Sequence, residues 1–185
     1  MLVLASQSPR RQEILRLAGI SFVVRMPRIL EQLQAGESAS DYVRRLASEK
    51  AGAGAAAEDE IVLGADTVVV SGGSILEKPR DDDDARRMLQ LLSGREHEVI
   101  TGVCIRTPHR VILDTAVTRV RFIALDAAEI DAYVASGEPM DKAGAYAIQG
   151  LASKFIDRIE GCYFNVMGLP VELVYRRLKE LGFRP

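Results

Sequence analysis

Residues 2–11 read LVLASQSPRR, a short apolar run that leads directly into a basic helix start. The four residues from Leu2 to Ala5 are typical of a short buried strand. Ser8 is a preferred N-cap residue, and Pro9 suits the first position of a helix. The sequence therefore predicts that the fold begins with a strand, a polar loop and a helix.

The same junction is a candidate anion site. Backbone amides at a helix N-terminus attract anions, and the planar guanidinium groups of Arg10 and Arg11 match phosphate oxygens. A cation in the first turn opposes the helix dipole by about 0.3–1 kcal/mol. Two in tandem therefore indicate either a solvated basic turn or a bound anion. We favour the anion, with phosphate as the expected ligand.

Composition limits the class of protein. A chain of 185 residues with 48% hydrophobic residues can form one substantial core, so we expect a single domain over residues 1–185, with two lobes around a cleft as one arrangement. A formal net charge of −2 argues against a protein that mainly binds nucleic acid.

Features that the sequence lacks indicate where in the cell the protein is expected. No signal peptide is expected, and no run approaches the roughly 20 apolar residues that cross a bilayer, so we expect no membrane partner. Cys104 and Cys162 are isolated and show neither metal-ligand spacing nor a disulfide framework. A reducing, cytoplasmic location fits these features best.

Periodicity and turn residues predict the remaining elements. Helices are expected to begin after Ser8, at Ser40 or Asp41, at Asp81 or Asp82, at Asp126 and at Pro170. Strands are expected at Ile61–Val70, Ile75–Leu76, Glu98–Ile105, Val111–Val117 and Thr118–Leu125. In the first helix, the predicted inward face is Ile14, Leu17 and Ala18. Because helices and strands do not alternate strictly, we predict an α/β or α+β fold with a mixed sheet.

Asp66 interrupts a run that otherwise is typical of a strand buried on both faces. A buried carboxylate must be protonated, paired with a cation or bound to a metal, and each state is common at functional sites. A structural carboxylate at a strand end is the alternative. Gly64 and Ala65 leave room for a ligand, so we favour the functional interpretation.

Two lysines are further candidates. Lys50 shares the helical stripe of Val43, Leu46 and Ala47, so its ammonium group either enters a buried site or reaches water along an apolar surface. Lys78 follows a returning strand, where side chains often enter a cleft.

The acidic run at residues 81–84 is more typical of a solvated helix start than of a metal site.

Residues 141–150 read DKAGAYAIQG, a polar loop rich in small residues. The amide of Gln149 can donate and accept hydrogen bonds, so this segment can bind a nucleobase, although its composition alone indicates only a loop.

His97 and His109 have no partner nucleophile or metal spacing, and we assign them no catalytic role. The chain has no nucleophile elbow around Ser8 and no Walker-type loop.

Several motifs, in order, resemble the Maf-like nucleotide pyrophosphatases over nearly the whole chain. They are SQSPRR at 6–11, GADT at 64–67, EKP at 77–79, DKAGAY at 141–146 and NVMGLP at 165–170. Residues 148–150 further resemble the subgroup that acts on dTTP and UTP. The resemblance implies an elongated mixed sheet flanked by helices, two lobes around a cleft as in inosine triphosphate pyrophosphatases, and frequent homodimers.

The resemblance also implies roles for individual residues. Asp66 resembles the catalytic proton acceptor, and Arg10, Thr67 and Gln149 resemble positions linked to substrate choice. Glu31, Lys50 and Lys78 match other polar positions of the family's cleft. Ser6 and Arg11, in the SQSPRR motif, are further candidates for substrate binding. Leu30 departs from the family, since a second acidic residue is common there.

The expected reaction is hydrolysis of a nucleoside triphosphate to the monophosphate and pyrophosphate. Mg²⁺, with Mn²⁺ as an alternative, is expected on Glu31, Asp66 and the triphosphate oxygens. Asp66 is expected to take the proton of the water that attacks the α-phosphorus. The cations expected to hold the phosphates are Arg10, Arg11, Lys50 and Lys78.

Three alternatives stay open at this stage. The chain can be a 7-methyl-GTP pyrophosphatase of the same family, or a regulator of cell division or septum formation, a role historically attached to the family name. It can also be a nucleotide sensor without turnover, an option that Leu30 keeps open. An adaptor would not need a buried aspartate with several cations, so we favour the enzyme.

Overall fold

The computed structural model describes residues 1–55, 57 and 59–183, which form two compact units. The first unit combines residues 1–67, residues 101–116 and the described chain from residue 168 onward. The second unit combines residues 68–100 and 117–167. Among the described helices, none is both long and apolar enough to cross a bilayer.

Within the described residues, one seven-stranded sheet has the order β2-β1-β3-β5-β6-β7, and β4 pairs with β3 beside this path. The strands are β1 (Leu2–Ala5), β2 (Val23–Val24), β3 (Ile61–Ser71), β4 (Ser74–Leu76), β5 (Glu96–Arg106), β6 (Val111–Phe122) and β7 (Ile156–Glu160). β1 is parallel to β2 and β3, whereas β3 and β4 and also β6 and β7 are antiparallel. The predicted mixed sheet is confirmed.

Helices flank this sheet, as predicted. The α-helices are α1 (Pro9–Leu17), α2 (Ala39–Gly54), α3 (Asp82–Leu92), α4 (Ala127–Ala135), α5 (Tyr163–Val166) and α6 (Val171–Glu180). Short 3₁₀ helices lie at Glu138–Asp141, Ala143–Ala145 and Leu151–Phe155. The predicted capping box before α4 is present, with Asp126 and Glu129 each accepting a backbone hydrogen bond from the other.

The opening strand, loop and helix form as predicted. β1 is buried throughout, and the side chain of Ser8 caps α1 by accepting a hydrogen bond from the Arg11 amide. The predicted inward face of α1 is partly wrong. Ile14 and Leu15 are buried while Leu17 is 70% exposed, because the buried stripe begins at Arg11 and continues three and four residues later.

Ala18, also predicted to face inward, is exposed beyond the end of α1. The predicted start of α2 is wrong by two or three residues, since the N-cap is Ser38 and neither Ser40 nor Asp41. The Ser38 hydroxyl accepts from the Asp41 amide at 3.1 Å, which fixes the first turn earlier in the chain.

Residues 111–122 form the single strand β6, so the two predicted strands, Val111–Val117 and Thr118–Leu125, were a wrong division. The hydrophobic pattern changes along this strand from an apolar run to a strict alternation. No turn interrupts the strand, so the change reflects different surroundings of its two halves and not a second strand. Sequence reasoning missed β2 and β7. Both are short, and their residues are mostly exposed, so neither has a buried periodicity.

The acidic residues 81–84 begin α3, as predicted, and Asp81 is the N-cap. The expectation that this run is solvated is wrong for Asp84. Its carboxylate is buried and accepts hydrogen bonds from Arg80 at 3.2 Å and from Arg87 at 2.7 Å. These two arginines form ion pairs with the carboxylate and balance its charge.

A glycine on β3 permits close packing of α2. A Cβ atom at Gly64 would overlap the carbonyl oxygen of Ala47 and lie 2.7 Å from the backbone nitrogen of Ala51. Lys50 is on the same buried face of α2 as these two alanines. The absence of a side chain at Gly64 therefore determines how closely Lys50 approaches β3.

Replacement of Gly64 by alanine should lower the free energy of unfolding by about 1–3 kcal/mol, because the new methyl group forces α2 away from β3. Urea denaturation measures the change. Gly52→Ala is the matched control on the same helix, since a Cβ there would have its nearest neighbour, an Arg106 nitrogen, at 3.8 Å. That variant should be as stable as the parent, or more so by about 0.5–1 kcal/mol. Equal effects would contradict the packing argument.

Candidate active site

Asp66 lies on β3 and forms a buried ion pair with Lys50 of α2. The Lys50 Nζ atom is 2.7 Å from Asp66 Oδ1, and the two residues are only 6% and 7% exposed. The sequence left two interpretations of Lys50 open, and the geometry decides between them. Its ammonium group enters the site and does not extend to water.

Glu31 is the second carboxylate on this lysine. Its Oε1 atom lies 2.9 Å from Lys50 Nζ, and its side chain is about half exposed. Glu31 belongs to an irregular segment between β2 and α2, where neither periodicity nor capping indicates a role. Only the family resemblance identified it, and the structure brings it to the same ammonium group as Asp66.

Burial raises the pKa of Asp66 above its ordinary value, because desolvation disfavours the charged carboxylate. The positive charges of Lys50 and Arg11 oppose this rise, and the negative charge of Glu31 adds to it. Asp66 is therefore a carboxylate that is paired with neighbouring cations and whose affinity for a proton is above that of an exposed aspartate. Those are the properties of a general base.

Arg11 is a buried arginine that joins three parts of the first unit. Its Nε donates to the Gly168 carbonyl at 2.8 Å, one terminal nitrogen donates to Ser6 Oγ at 3.2 Å, and the other donates to Thr67 Oγ1 at 3.1 Å. Burial lowers the pKa of its guanidinium. Arg11 is thus an organising residue whose two further N–H groups lie outside these three bonds.

Thr67 follows Asp66 on β3, and its hydroxyl is held from several sides. Thr67 Oγ1 lies 2.9 Å from Thr101 Oγ1 and donates to the Gly168 carbonyl at 3.3 Å. Thr101 is fully buried on β5 and was missed by sequence reasoning. A hydroxyl inside an apolar strand is a weak signal, because a threonine is common in strands without any functional role.

The first unit therefore brings together most of the predicted site residues. Ser6 is buried and also accepts a hydrogen bond from the Ser8 amide at 3.2 Å, while Arg10 is half-buried in the first turn of α1. Lys78 and Gln149 belong to the second unit, where both side chains are exposed. Lys78 follows β4, and Gln149 lies between two of the 3₁₀ helices.

The carboxylates of this site provide limited means of binding a metal. In the part of the chain that the structure describes, no group of three or more His, Cys, Asp or Glu side chains could hold an ion. Glu31 and Asp66 are hard oxygen donors of the kind that Mg²⁺ takes singly or in pairs, with water and phosphate as its other ligands. The donor set fits an ion that arrives with a phosphate-bearing ligand.

The profile of the Maf-like proteins matches residues 1–181 of this chain. The chain belongs to the Maf-like protein family. The dTTP/UTP pyrophosphatase of Koribacter versatilis is 50% identical to this Maf-like chain over 182 residues, which cover 98% of the chain and 94% of that protein. The dTTP/UTP pyrophosphatase of Salmonella typhimurium is 52% identical over 183 residues, with coverages of 98% and 93%.

Solved structures of other proteins share the fold of this Maf-like chain. The Ham1 protein of Staphylococcus aureus has a TM-score of 0.56 at 13% identity, covering 97% of this chain and 98% of that one. The HAM1 protein of Coxiella burnetii has a TM-score of 0.52 at 17% identity, with the same coverages. At such low identity the likeness concerns the fold alone, and it agrees with the mixed sheet flanked by helices that the resemblance implied.

Replacement of Lys50 by methionine should raise the pKa of Asp66 further, because the nearest cation is lost while the burial is kept. The free energy of unfolding should fall more at neutral pH than at mildly acidic pH, where the isolated carboxylate takes up a proton. A ¹³C NMR titration of the Asp66 carboxyl, assigned with the Asp66→Asn variant, measures this pKa.

Lys179→Met is the control for this titration. Lys179 is an exposed lysine of the first unit, on α6, so its loss should leave the pKa of Asp66 unchanged. An unchanged Asp66 pKa in Lys50→Met would show that the ion pair does not stabilise the carboxylate.

Proposed function

We propose that this Maf-like protein hydrolyses dTTP and UTP to the nucleoside monophosphate and pyrophosphate. The observation that carries the proposal is the buried Asp66 carboxylate, 2.7 Å from Lys50 and within the field of Arg11. Relatives about half identical over nearly the full chain, named dTTP/UTP pyrophosphatase, support the same reaction and the same nucleotides.

In the proposed mechanism, Asp66 accepts a proton from the water that attacks the α-phosphorus. Its raised pKa favours proton uptake, and its contact with Lys50 fixes the position of the accepting oxygen. Direct attack by water needs no covalent intermediate. Pyrophosphate then leaves, and its charge is stabilised by the basic side chains of the site.

The proposed phosphate ligands are the cations of the first helix and the two lysines. Arg10 lies in the first turn of α1, where backbone amides add to its charge, and Arg11 keeps two N–H groups beyond its structural bonds. Lys50 contacts both carboxylates of the site. The role of Lys78 rests on the family resemblance.

We further propose Mg²⁺ as the cofactor, with Mn²⁺ as an alternative, held by Glu31 and Asp66. When bound, such an ion would neutralise phosphate charge in the transition state. Glu31 suits this role because its half-exposed carboxylate is already close to Asp66 through their shared lysine. Leu30 is 77% exposed and provides no further oxygen ligand.

Substrate choice is proposed to rest on Arg10, Thr67 and Gln149. The exposed amide of Gln149 can pair with the polar edge of a pyrimidine, since it both donates and accepts.

We propose a cytoplasmic location, because Cys104 and Cys162 are both free thiols. A homodimer is proposed from the family resemblance alone.

Product analysis of the purified protein with Mg²⁺ tests the reaction and the subgroup together. The substrates are dTTP, UTP, CTP, ATP, GTP and 7-methyl-GTP, and pyrophosphate is measured separately from phosphate. We expect monophosphate and pyrophosphate mainly from dTTP and UTP, and no turnover after chelation of the metal.

Other outcomes of that experiment would each correct the proposal. The same products mainly from 7-methyl-GTP would keep the mechanism and change the subgroup. Activity that survives chelation would remove the metal from the proposal. No turnover of any nucleotide would favour a nucleotide sensor or a regulator of cell division.

Replacement of Asp66 by asparagine should lower kcat by about 10²–10⁴, because the amide keeps the shape of the side chain but cannot accept the proton. Steady-state pyrophosphate release measures this loss, and circular dichroism confirms folding. The control is Asp114→Asn, which loses a 2.7 Å ion pair with Arg177 elsewhere in the first unit and should keep its turnover. Near-normal turnover of folded Asp66→Asn would rule out the assigned role.

A further inference from the structure

Gln149 lies in a segment without regular secondary structure, between the 3₁₀ helices Ala143–Ala145 and Leu151–Phe155. A side chain that reads a nucleobase must start from a fixed backbone, because specificity depends on matching donors and acceptors within a fraction of an ångström. Whatever holds the backbone of residues 147–151 therefore controls what Gln149 can recognise.

Tyr133, at the end of α4, holds the backbone on one side of Gln149. Its hydroxyl accepts a hydrogen bond from the Ala147 amide at 3.2 Å and donates one to Glu138 Oε1 at 2.8 Å. The tyrosine ring is buried and packs edge-on against Phe155, with ring centroids 5.6 Å apart. The position of this hydroxyl is therefore fixed by packing within the second unit.

Glu138 holds the backbone on the other side. Its Oε2 atom accepts a hydrogen bond from the Leu151 amide at 3.1 Å, while its Oε1 atom accepts the Tyr133 hydroxyl. One tyrosine and one carboxylate thus bind the amides two residues before and two residues after Gln149. We name these two residues, Tyr133 and Glu138, the loop clamp.

Gly150 allows the clamp to close. A Cβ atom at Gly150 would overlap the carboxylate of Glu138, so any side chain there would displace that group. The backbone of Gly150 is extended, with φ of −106°, so the constraint is the close approach and not an unusual conformation.

The clamp has a fixed direction of hydrogen bonding. Burial of Tyr133 and its hydrogen bond to Glu138 both raise the pKa of the hydroxyl, which stays protonated at neutral pH. Its one proton goes to Glu138, so the bond from Ala147 uses an oxygen lone pair. Removal of this hydroxyl leaves the Ala147 amide without its partner, at a buried position.

We propose that Tyr133 and Glu138 are positioning residues that fix the backbone around Gln149 and thereby set the preference for thymine and uracil. The inference rests on the proposed function, in which Gln149 contacts the base. Neither residue needs to touch the substrate, because each acts through a backbone amide of the segment that carries the glutamine.

The test compares kcat and KM for dTTP and CTP in the full-length parent and in Tyr133→Phe, Glu138→Ala and Glu138→Gln. Tyr133→Phe and Glu138→Ala should raise the KM for dTTP and lower its preference over CTP by about fivefold to tenfold, with smaller changes in kcat. The preference of Glu138→Gln should lie between those of the parent and Glu138→Ala. Its amide oxygen can accept from Leu151, but its NH₂ group meets the Tyr133 oxygen as a second donor, so the tyrosine proton loses its acceptor.

Amide hydrogen exchange of Ala147 and Leu151 provides a second readout that does not depend on turnover. Exchange should accelerate at these two positions in Tyr133→Phe and Glu138→Ala. Ser93→Ala is the matched control, because it removes a 2.7 Å hydrogen bond to the Leu125 amide elsewhere in the second unit. It should alter neither the exchange at residues 147 and 151 nor the nucleotide preference. Gln149→Ala should lose the preference without faster exchange.

The outcomes separate this inference from the proposed function. Unchanged exchange at both amides in the two variants would overturn the clamp. Faster exchange with an unchanged preference would overturn its role in selectivity and leave the proposed function intact. Absence of pyrophosphate release by the parent would overturn the proposed function and the selectivity role, while the exchange data would still decide the clamp.

Discussion

The ion pair between Lys50 and Asp66 is the interaction on which the site of the first unit depends. Removing two charges from water costs several kcal/mol for each ion, and a packed apolar pair is often at least as stable. The pair persists together with Glu31 and the buried Arg11, so four charged groups are concentrated at one place. Such concentration is typical of a site that binds an anionic ligand and moves a proton.

Two residues, Gly64 and Arg11, fix the positions of the charged groups at this site. Gly64 lets α2 approach β3, which brings the ammonium group of Lys50 to the carboxylate. Arg11 joins the first loop, β3 and the backbone at Gly168 through its three hydrogen bonds. A motif with two adjacent arginines therefore combines different tasks, since Arg11 is a buried organiser while Arg10 stays half-exposed in the first turn.

The second unit fixes the backbone around Gln149 in a different way. Residues 147–151 contain no buried charge, and their backbone is fixed by neutral amides that donate to Tyr133 and Glu138. Hydrogen bonds to backbone amides suit this purpose, because they fix position without committing the exposed side chain of Gln149. The two units thus illustrate charge pairing and backbone anchoring as separate routes to preorganisation.

Local signals in the sequence were enough to predict the first strand and its helix cap, the buried stripe of α2 and the misplaced charges of Asp66 and Lys50. Each depends on neighbours within a few residues. Sequence alone did not reveal the contact of Thr101 with Thr67 or that of Glu31 with Lys50. It also did not reveal the hydrogen bonds by which Tyr133 and Glu138 hold the backbone on either side of Gln149. Those features join residues far apart in the chain, and only the tertiary structure decides which distant hydroxyl, carboxylate or amide lies within hydrogen-bonding distance.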